Sequence, residues 1–346
     1  MNRFGTAYCW EMKKLLWYRK GWLFLILVLL LQIGIVCLAA PTEPDAFDRS
    51  LYAGYIARFG GIYSEETAQA IRAEAEAVDR FLEQNDPSVL TTAAATESQT
   101  EQYLLATMKR NALSALENKC ERLASVQAVQ PSLTYDLELT NYIQRYRYHW
   151  ASLIGIAFLV PMLMLGDQKC GMKQILYPTV TGKVILARAK LMTAVTISTL
   201  LTAVCAVLQW AIISLHWDLG ALDVPVQSIT GFEDCMLHGS VLRWILICGM
   251  LRILSAPALA LLLCILSTLI QKEPAIIAGA AILFWSSALL ADQFPTVSFC
   301  FLSQTLSGIA AEQNATVTEL NAMAAALIVK TGMLGILLTA KRQVCC

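Results

Sequence analysis

The segment 166–190 carries a group of mostly basic side chains that could do binding chemistry. Five basic residues, Lys169, Lys173, Lys183, Arg188 and Lys190, stand there against one acid, Asp167, so the net charge is +4. The segment lies between two apolar runs that are each long enough to cross a bilayer. Short loops with an excess of Lys and Arg stay on the cytoplasmic side of a membrane. We therefore predict a cytoplasmic loop on which a soluble partner pushes.

Two further cations fall inside apolar runs, where charge is costly. Lys330 lies near the middle of the last run, and Arg252 lies in the first half of 241–270. A central Lys costs about 2.5–3.5 kcal/mol on insertion scales, so it should face a cavity or a partner rather than lipid. One interpretation is that both cations line a translocation path that favours an anionic substrate. The other is that they snorkel or pair with backbone carbonyls.

No sequence pattern predicts catalysis, a metal site or a bound cofactor. GxxxxGK[ST], HExxH, GxSxG and a helix-opening GxGxxG are all missing from the sequence. The histidines His149, His216 and His238 stand near the predicted outer boundary and lack the spacing of metal ligands. We expect no enzyme activity, no catalytic residue, no metal and no nucleic-acid partner. Any energy source must then reside in another chain.

Composition predicts the elements that position these residues: an all-α integral membrane protein. The chain is 57% hydrophobic and 15% charged, with mean hydropathy +0.55, whereas soluble domains carry about 25% charged residues. A span needs about 20 apolar residues. Six spans are predicted, with both termini cytoplasmic in a cell membrane, most simply a bacterial plasma membrane: 21–40, 150–165, 191–215, 241–270, 275–290 and 321–340.

Two of the later apolar stretches do not fit a simple crossing. The stretch 241–270 is too long, so we expect an outer interfacial turn, then a span from about residue 251 with a kink at Pro257. The run 297–309 is short, which suits a re-entrant or interfacial element. A bridge between Cys235 and Cys300 is one possibility on this topology.

The first 20 residues predict an interfacial (elbow) helix on the cytoplasmic side. Five basic residues stand against one acid, and Phe4, Tyr8, Met12 and Leu15 share one helical face. Trp10, Trp17, Tyr18 and Trp22 suit the headgroup zone. The alternative is an ordinary basic flank that only sets the orientation of the first span.

The segment 41–149 predicts a helical extracytoplasmic insert between the first and second spans. Sixteen acids stand there against ten basic residues. Two amphipathic stripes and a third short helix, 135–149, are expected, the stripes being Ile71, Ala75, Val78 and Leu82, then Leu113, Leu116, Cys120 and Leu123. The insert would serve as a gate or substrate vestibule, or as a structural spacer; the sequence leaves both open.

The loop and the topology together resemble the ABC-2 family of ABC transporter permeases. Asp167 stands where that family has Glu, Gly171 matches its Gly, and Lys190 its final Lys. The apolar pair, the Pro and the small-plus-basic pair are matched by Ile175, Leu176, Pro178 and Thr181-Gly182-Lys183. Asp for Glu and the extra Gly182 are departures from the pattern.

The resemblance implies a division of labour between chains. The 166–190 loop would couple to an ABC ATP-binding subunit, which binds ATP and Mg, with Ile175, Leu176 and Tyr177 in a groove of that subunit. The domains would be 1–20, 21–40, 41–149 and the membrane domain 150–346. Two permeases, as a homodimer or with a related permease, would export a hydrophobic or amphipathic substrate through the lipid bilayer.

Two other functions stay open on the sequence alone. One is a membrane-anchored peptide sensor or immunity protein that binds through 41–149 without transport. The other is a membrane enzyme acting on lipid, which would need residues such as His149, His216 or Asp292 to converge.

Overall fold

The computed structural model describes residues 3–38, 48–85, 97–126, 130–140, 150–169, 180–216, 222–235, 238–270, 272–293 and residue 332. In chain order the helices are α1 (Arg3–Lys13), α2 (Gly21–Leu38), α3 (Arg49–Phe59), α4 (Glu65–Gln84), α5 (Glu97–Ser125), α6 (Trp150–Lys169), α7 (Val180–His216), α8 (Val241–Leu269) and α9 (Glu273–Gln293). A π-helical turn, Lys14–Tyr18, follows α1, and a 3-10 turn spans Val226–Ser228.

The chain divides into two compact units. The first unit is formed by Met1–Ala39, Arg145–His216 and Ile245–Cys346. The second unit is formed by Ala40–Gln144 and Trp217–Trp244. The predicted insert therefore shares its unit with a later segment of the chain.

Within the described residues, three helices are long and apolar enough to cross a membrane, through the stretches Trp150–Asp167, Val184–Ile212 and Val241–Leu269. Phe4–Tyr18 and Gly21–Cys37 add a fourth candidate as a pair bent by 69°. The chain is thus a predominantly helical membrane protein. The described part of α9 has a shorter apolar stretch, and the predicted elements at 297–309 and 321–340 lie outside the described residues.

Helix extends into the predicted loop 166–190 at both of its ends. α6 continues to Lys169, and α7 begins at Val180, so only 170–179 lies between the two helices, outside the described residues. Helix persists because Asp167 and Lys190 are paired inside the protein, as described below. At 37 residues α7 is about 55 Å long, well beyond a hydrocarbon core of about 30 Å.

The interfacial turn expected before residue 251 is wrong. α8 is one uninterrupted helix from Val241 to Leu269 and contains Pro257. Arg252 is only 8% exposed, and the Ser255 hydroxyl donates to its carbonyl oxygen at 2.9 Å. At 29 residues α8 is about 44 Å long, so the extra length of this stretch is taken up as helix rather than as a turn.

The core of the first unit forms where α1, α2, α6 and α7 pack together. Gly155 permits a close approach there, since a β-carbon would lie 2.5 Å from Leu201 and 3.3 Å from Val28. Small residues let membrane helices approach in this way. Gln32 of α2 also donates to Gln209 of α7 at 3.4 Å, and both side chains are buried.

The second unit has its own apolar core, built on the predicted stripes. Leu113, Leu116, Cys120 and Leu123 of α5 are all buried, as are Ile71 and Ala75 of α4, which confirms those stripes. Val78 packs at the edge of the same core and Leu82 is half-buried. The paired stripes therefore bury each other.

Two features of this unit were not predicted. α3 contributes Tyr52 and Ile56 to the core and is capped by Asp48, whose carboxylate accepts from the Ser50 and Leu51 N–H groups at 2.7 and 3.4 Å. Two strands, β1 (Gly61–Ile62) and β2 (Ser132–Leu133), pair antiparallel, so the fold is not purely helical.

Of the predicted helix 135–149, residues 137–140 are helical and 141–149 lie outside the described residues.

Candidate functional site

A buried group of charged side chains joins four elements of the first unit. It comprises Glu11 of α1, Lys14 of the π-helical turn, Arg19 just after that turn, Asp167 of α6 and Lys190 of α7. We call these five residues the Asp167 cluster. α1 packs along α7, where the Tyr8 hydroxyl donates to the Thr196 hydroxyl at 3.2 Å.

Asp167 is the centre of the cluster because three cations converge on its carboxylate. Arg19 Nη2 lies 2.9 Å from Asp167 Oδ1, Lys14 Nζ pairs with the same oxygen, and Lys190 Nζ pairs with Oδ2. The side chains of Asp167 and Lys190 are each 2% exposed. In a medium of low dielectric such pairs persist only when each charge has a close partner. The cluster therefore fixes α1, α6 and α7 together.

Glu11 is the second carboxylate and is less well satisfied. Its Oε1 lies 3.5 Å from Lys14 Nζ, and the residue is 1% exposed. Neither carboxylate oxygen accepts a hydrogen bond within the described part of the chain. Counting all five members gives three cations against two carboxylates, a net charge of +1.

Arg19 reaches the cluster through a tight corner of the backbone. Lys20 has a left-handed φ of 56°, and a β-carbon on Gly21 would lie 2.6 Å from the carbonyl oxygen of Leu15. This corner produces the 69° bend between the π-helical turn and α2. A left-handed residue other than glycine is uncommon, so the surrounding contacts must hold Lys20 in place.

The Arg19 guanidinium then lies over the last turns of α6. It donates to the carbonyl oxygens of Met162 and, at 3.2 Å, Leu163, in addition to its pair with Asp167. A β-carbon on Gly166 would overlap this guanidinium. A cation near the carboxyl end of a helix also complements the helix dipole.

The arrangement of the cluster provides a mechanical linkage between helices. The described residues contain no group of three His, Cys, Asp or Glu side chains that could hold a metal ion. The cluster ties together the helix ends on either side of 170–179. A displacement of that segment would therefore reach α1, α6 and α7 together.

Some of the predicted coupling residues belong to the Asp167 cluster, and most of the others lie outside the described residues. Asp167 and Lys190 come together and are buried, and Lys183 falls within α7. Gly171, Ile175, Leu176, Tyr177 and Pro178 lie outside the described residues, as does Lys330. Arg252 lies on α8, and its role in a translocation path stays a prediction.

Sequence reasoning missed three members of the cluster: Glu11, Lys14 and Arg19. A signal was present, because Glu11 and Lys14 are three residues apart and share a helical face with Leu15. A lone acid on the apolar side of a basic segment indicates a buried partner. The partner itself, Asp167, is 153 residues from Lys14, and no local pattern reports that distance.

The second unit contains a separate buried ion pair. Lys119 Nζ lies 2.7 Å from Asp136 Oδ1 and donates to the Thr134 carbonyl oxygen at 2.5 Å. The Thr230 N–H donates to Asp136 Oδ2 at 2.7 Å, and Arg122 pairs with Glu233 at 3.2 Å. Burial lowers the pKa of Lys119 below its usual value. These contacts fasten the segment 222–235 to α5 and to the residues just after β2. Cys235 is buried there; its predicted bridge involves Cys300, outside the described residues.

No protein-family model, no curated protein and no solved structure matches this chain.

Proposed function

We propose that the chain is the transmembrane subunit of an ATP-driven ABC exporter. It forms the translocation path for a hydrophobic or amphipathic substrate with a second permease copy or a related permease. The ATP and Mg are bound by a separate ATP-binding subunit, which docks on the cytoplasmic segment around 170–179. Six spans, cytoplasmic termini and an extracytoplasmic insert belong to this proposal.

The Asp167 cluster is the observation that carries the proposal. It anchors both helices that flank 170–179, through Asp167 on α6 and Lys190 on α7. It also holds the π-helical turn that continues α1, through Lys14, and the following corner, through Arg19. A motor that pushes on a segment held in this way moves whole helices rather than a loose loop.

The length of α7 supports the same interpretation. Its apolar stretch is Val184–Ile212, while the helix itself begins at Val180 and contains Lys183 and Arg188. One continuous helix thus leads from the basic segment into the apolar stretch. A rigid helix transmits displacement with little loss because packed elements move as bodies.

The proposal predicts an ABC ATPase in a neighbouring reading frame, and docking is tested with the full chain and that ATPase. Changing Leu176→Ala together with Tyr177→Ala should reduce co-purification of the ATPase while membrane insertion is unchanged. Leu104→Ala, an exposed leucine of the second unit, is the matched control and should leave co-purification intact. Equal recovery of the ATPase with the double variant and with wild type would contradict the proposed docking.

Coupling is tested separately from docking. In proteoliposomes, Asp167→Asn should retain the bound ATPase but lose the rise in ATP hydrolysis that substrate produces. Asp167 is a positioning residue, so basal hydrolysis by the ATPase should change less than this stimulation. Full stimulation in the variant would show that the cluster does not carry the signal.

A second candidate function is a membrane-anchored peptide sensor or immunity protein. The second unit favours it, because this unit has its own core and exposes Leu104, Leu105 and Met108 on α5. The full chain in detergent, without any ATPase, should then bind the peptide, and Leu104→Asp should weaken that binding. Transport of the same peptide only in the presence of ATP would favour the exporter instead.

A further inference from the structure

The outer face of α1 and the corner that follows it carries a concentration of exposed aromatic rings. Trp10 is 52% exposed, Trp17 and Tyr18 are each 66% exposed, and Trp22 is 40% exposed. The Trp10 and Tyr18 rings lie 5.9 Å apart, and the Trp17 and Trp22 rings 6.5 Å apart. The second contact spans the bend into α2. We call these four residues, with the exposed Lys13 and Lys20, the aromatic corner.

The opposite face of α1 is already occupied. Leu15 is fully buried in the core of the first unit, and the Tyr8 hydroxyl contacts Thr196 of α7. The apolar face predicted to lie on the membrane therefore faces protein. The aromatic corner is the part of this segment that is left to meet the surroundings.

Every exposed charge on this part of the chain is positive. Within the described residues 3–38, Glu11, the sole acid, is buried, and Lys14 and Arg19 are paired with Asp167. Lys13 and Lys20 remain exposed beside the rings. The corner therefore offers two cations without a competing carboxylate, which fits an anionic ligand.

The neighbouring surface of α2 determines what kind of anion this is. α2 begins at Gly21 and exposes Leu23, Ile26, Leu27 and Leu30 along its length. A ligand at the corner therefore meets cations at one end and an apolar wall at the other. Exposed Trp and Tyr rings favour the zone between headgroup and acyl chain.

We propose that the aromatic corner is a binding site for an anionic glycerophospholipid. Lys13 and Lys20 attract the headgroup charge, the rings of Trp17 and Trp22 lie at the glycerol level, and the acyl chains follow α2. This site does not depend on the proposed transport function, since it requires neither the ATPase nor 170–179. It makes the lipid composition of the membrane a determinant of how α1 is held.

The test uses tryptophan fluorescence of the full chain in a neutral detergent. Brominated short-chain phosphatidylglycerol and the matched brominated phosphatidylcholine are titrated separately, and the concentration for half-maximal quenching is measured. We expect phosphatidylglycerol to bind more tightly, by about fivefold for each lysine that contributes. Trp17→Phe with Trp22→Phe should remove most of the quenching.

The charge variants decide between a specific site and general adsorption. Lys13→Gln with Lys20→Asn should abolish the preference for phosphatidylglycerol; Asn suits the left-handed backbone at position 20. Lys272→Gln, an exposed lysine just before α9, is the matched control and should leave the preference unchanged. Equal affinity of wild type for the two lipids, or a preference that survives in the double variant, would overturn the proposal.

If the double variant fails to fold, the salt dependence of lipid binding by the wild-type chain also distinguishes a charge-based site from general adsorption. Added salt shortens the Debye length from about 10 Å at 0.1 M to about 3 Å at 1 M. The preference of wild type for phosphatidylglycerol should therefore fall steeply between these two concentrations. A preference that does not change with salt would reject a charge-based site.

Discussion

Replacing Asp167 by Asn is the most direct way to perturb the Asp167 cluster. Asn has nearly the same shape and can still accept a hydrogen bond, but it removes the charge on which Lys14, Arg19 and Lys190 converge. The cluster then holds three cations against Glu11 alone. Removing one partner of a buried ion pair costs about 3–5 kcal/mol, because the other charge stays buried without compensation.

The size of the effect is compared with that of an exposed pair. Arg110 Nε lies 2.6 Å from Asp79 Oδ1 in the second unit, and the Asp79 side chain is 42% exposed. Such a pair contributes about 0–1 kcal/mol. In thermal unfolding of the full chain in detergent, Asp167→Asn should lower the Tm by roughly 10 °C. Asp79→Asn should lower it by at most about 2 °C.

A double variant tests whether the uncompensated positive charge causes the drop in stability. Asp167→Asn with Lys190→Met removes one of the stranded cations. Its loss of stability should therefore be smaller than the sum of the two single losses by about 1 kcal/mol or more. If Asp167→Asn unfolds like Asp79→Asn, or if the two changes at the cluster simply add, the reasoning about buried charge is refuted.

Three further outcomes are expected. Gly166→Ala should destabilise the chain by about 1–3 kcal/mol in thermal unfolding, because its β-carbon displaces the Arg19 guanidinium from Asp167. Asp136→Asn should lower the stability of the second unit by about 3–5 kcal/mol, since it leaves Lys119 buried without its partner. The loss should appear as faster proteolysis of the second unit. The Ser50 hydroxyl, followed by backbone N–H groups, holds the pKa of Asp48 below its ordinary 3.8. The difference in Tm between wild type and Asp48→Ala should therefore be full above pH 3.8 and disappear as the pH falls through the folded-state pKa.

The first two outcomes have matched controls in the chain, and the third has a result that would contradict it. Gly54→Ala, also within a helix but with open space around it, should stabilise rather than destabilise. Glu74→Gln breaks the exposed pair with Arg58, 3.4 Å long, and should have little effect beside Asp136→Asn. A Tm difference for Asp48→Ala that stays constant from pH 6 to about pH 2 would show that the charge of the cap is irrelevant.

Local periodicity predicted the second unit better than the first. The stripe from Leu113 to Leu123 could be predicted because its apolar residues recur at spacings of three and four, which places them on one face of α5. α3 was missed because Tyr52 and Ile56 are too few to make a pattern in an 11-residue helix. The contacts that fasten 222–235 to α5 were missed for another reason. They join residues such as Asp136 and Thr230, which are 94 positions apart.

The extension of helix into the predicted loop was missed because charge was interpreted as exposure. Asp167 and Lys190 looked like residues of a solvated loop, but each satisfies the other inside the protein. Helical structure could therefore continue through both positions. A sequence records which residues are charged, while burial depends on whether opposite charges meet in space. For membrane proteins this ambiguity falls at the ends of spans, where Lys and Arg are common.

The charge balance of the first unit leads to one more prediction. The Asp167 cluster carries one excess cation, and Lys13 and Lys20 add two more nearby without an exposed acid in residues 3–38. An anionic headgroup at the aromatic corner would reduce the repulsion among these charges. Asp167→Asn removes a negative charge and so raises this net positive charge by one, and its cost should therefore depend on lipid. In nanodiscs of phosphatidylglycerol the loss of Tm caused by Asp167→Asn should be smaller than in phosphatidylcholine. Asp136→Asn in the second unit should cost the same in both. An equal loss of Tm for Asp167→Asn in the two lipids would show that an anionic headgroup at the aromatic corner does not reduce the repulsion within the Asp167 cluster.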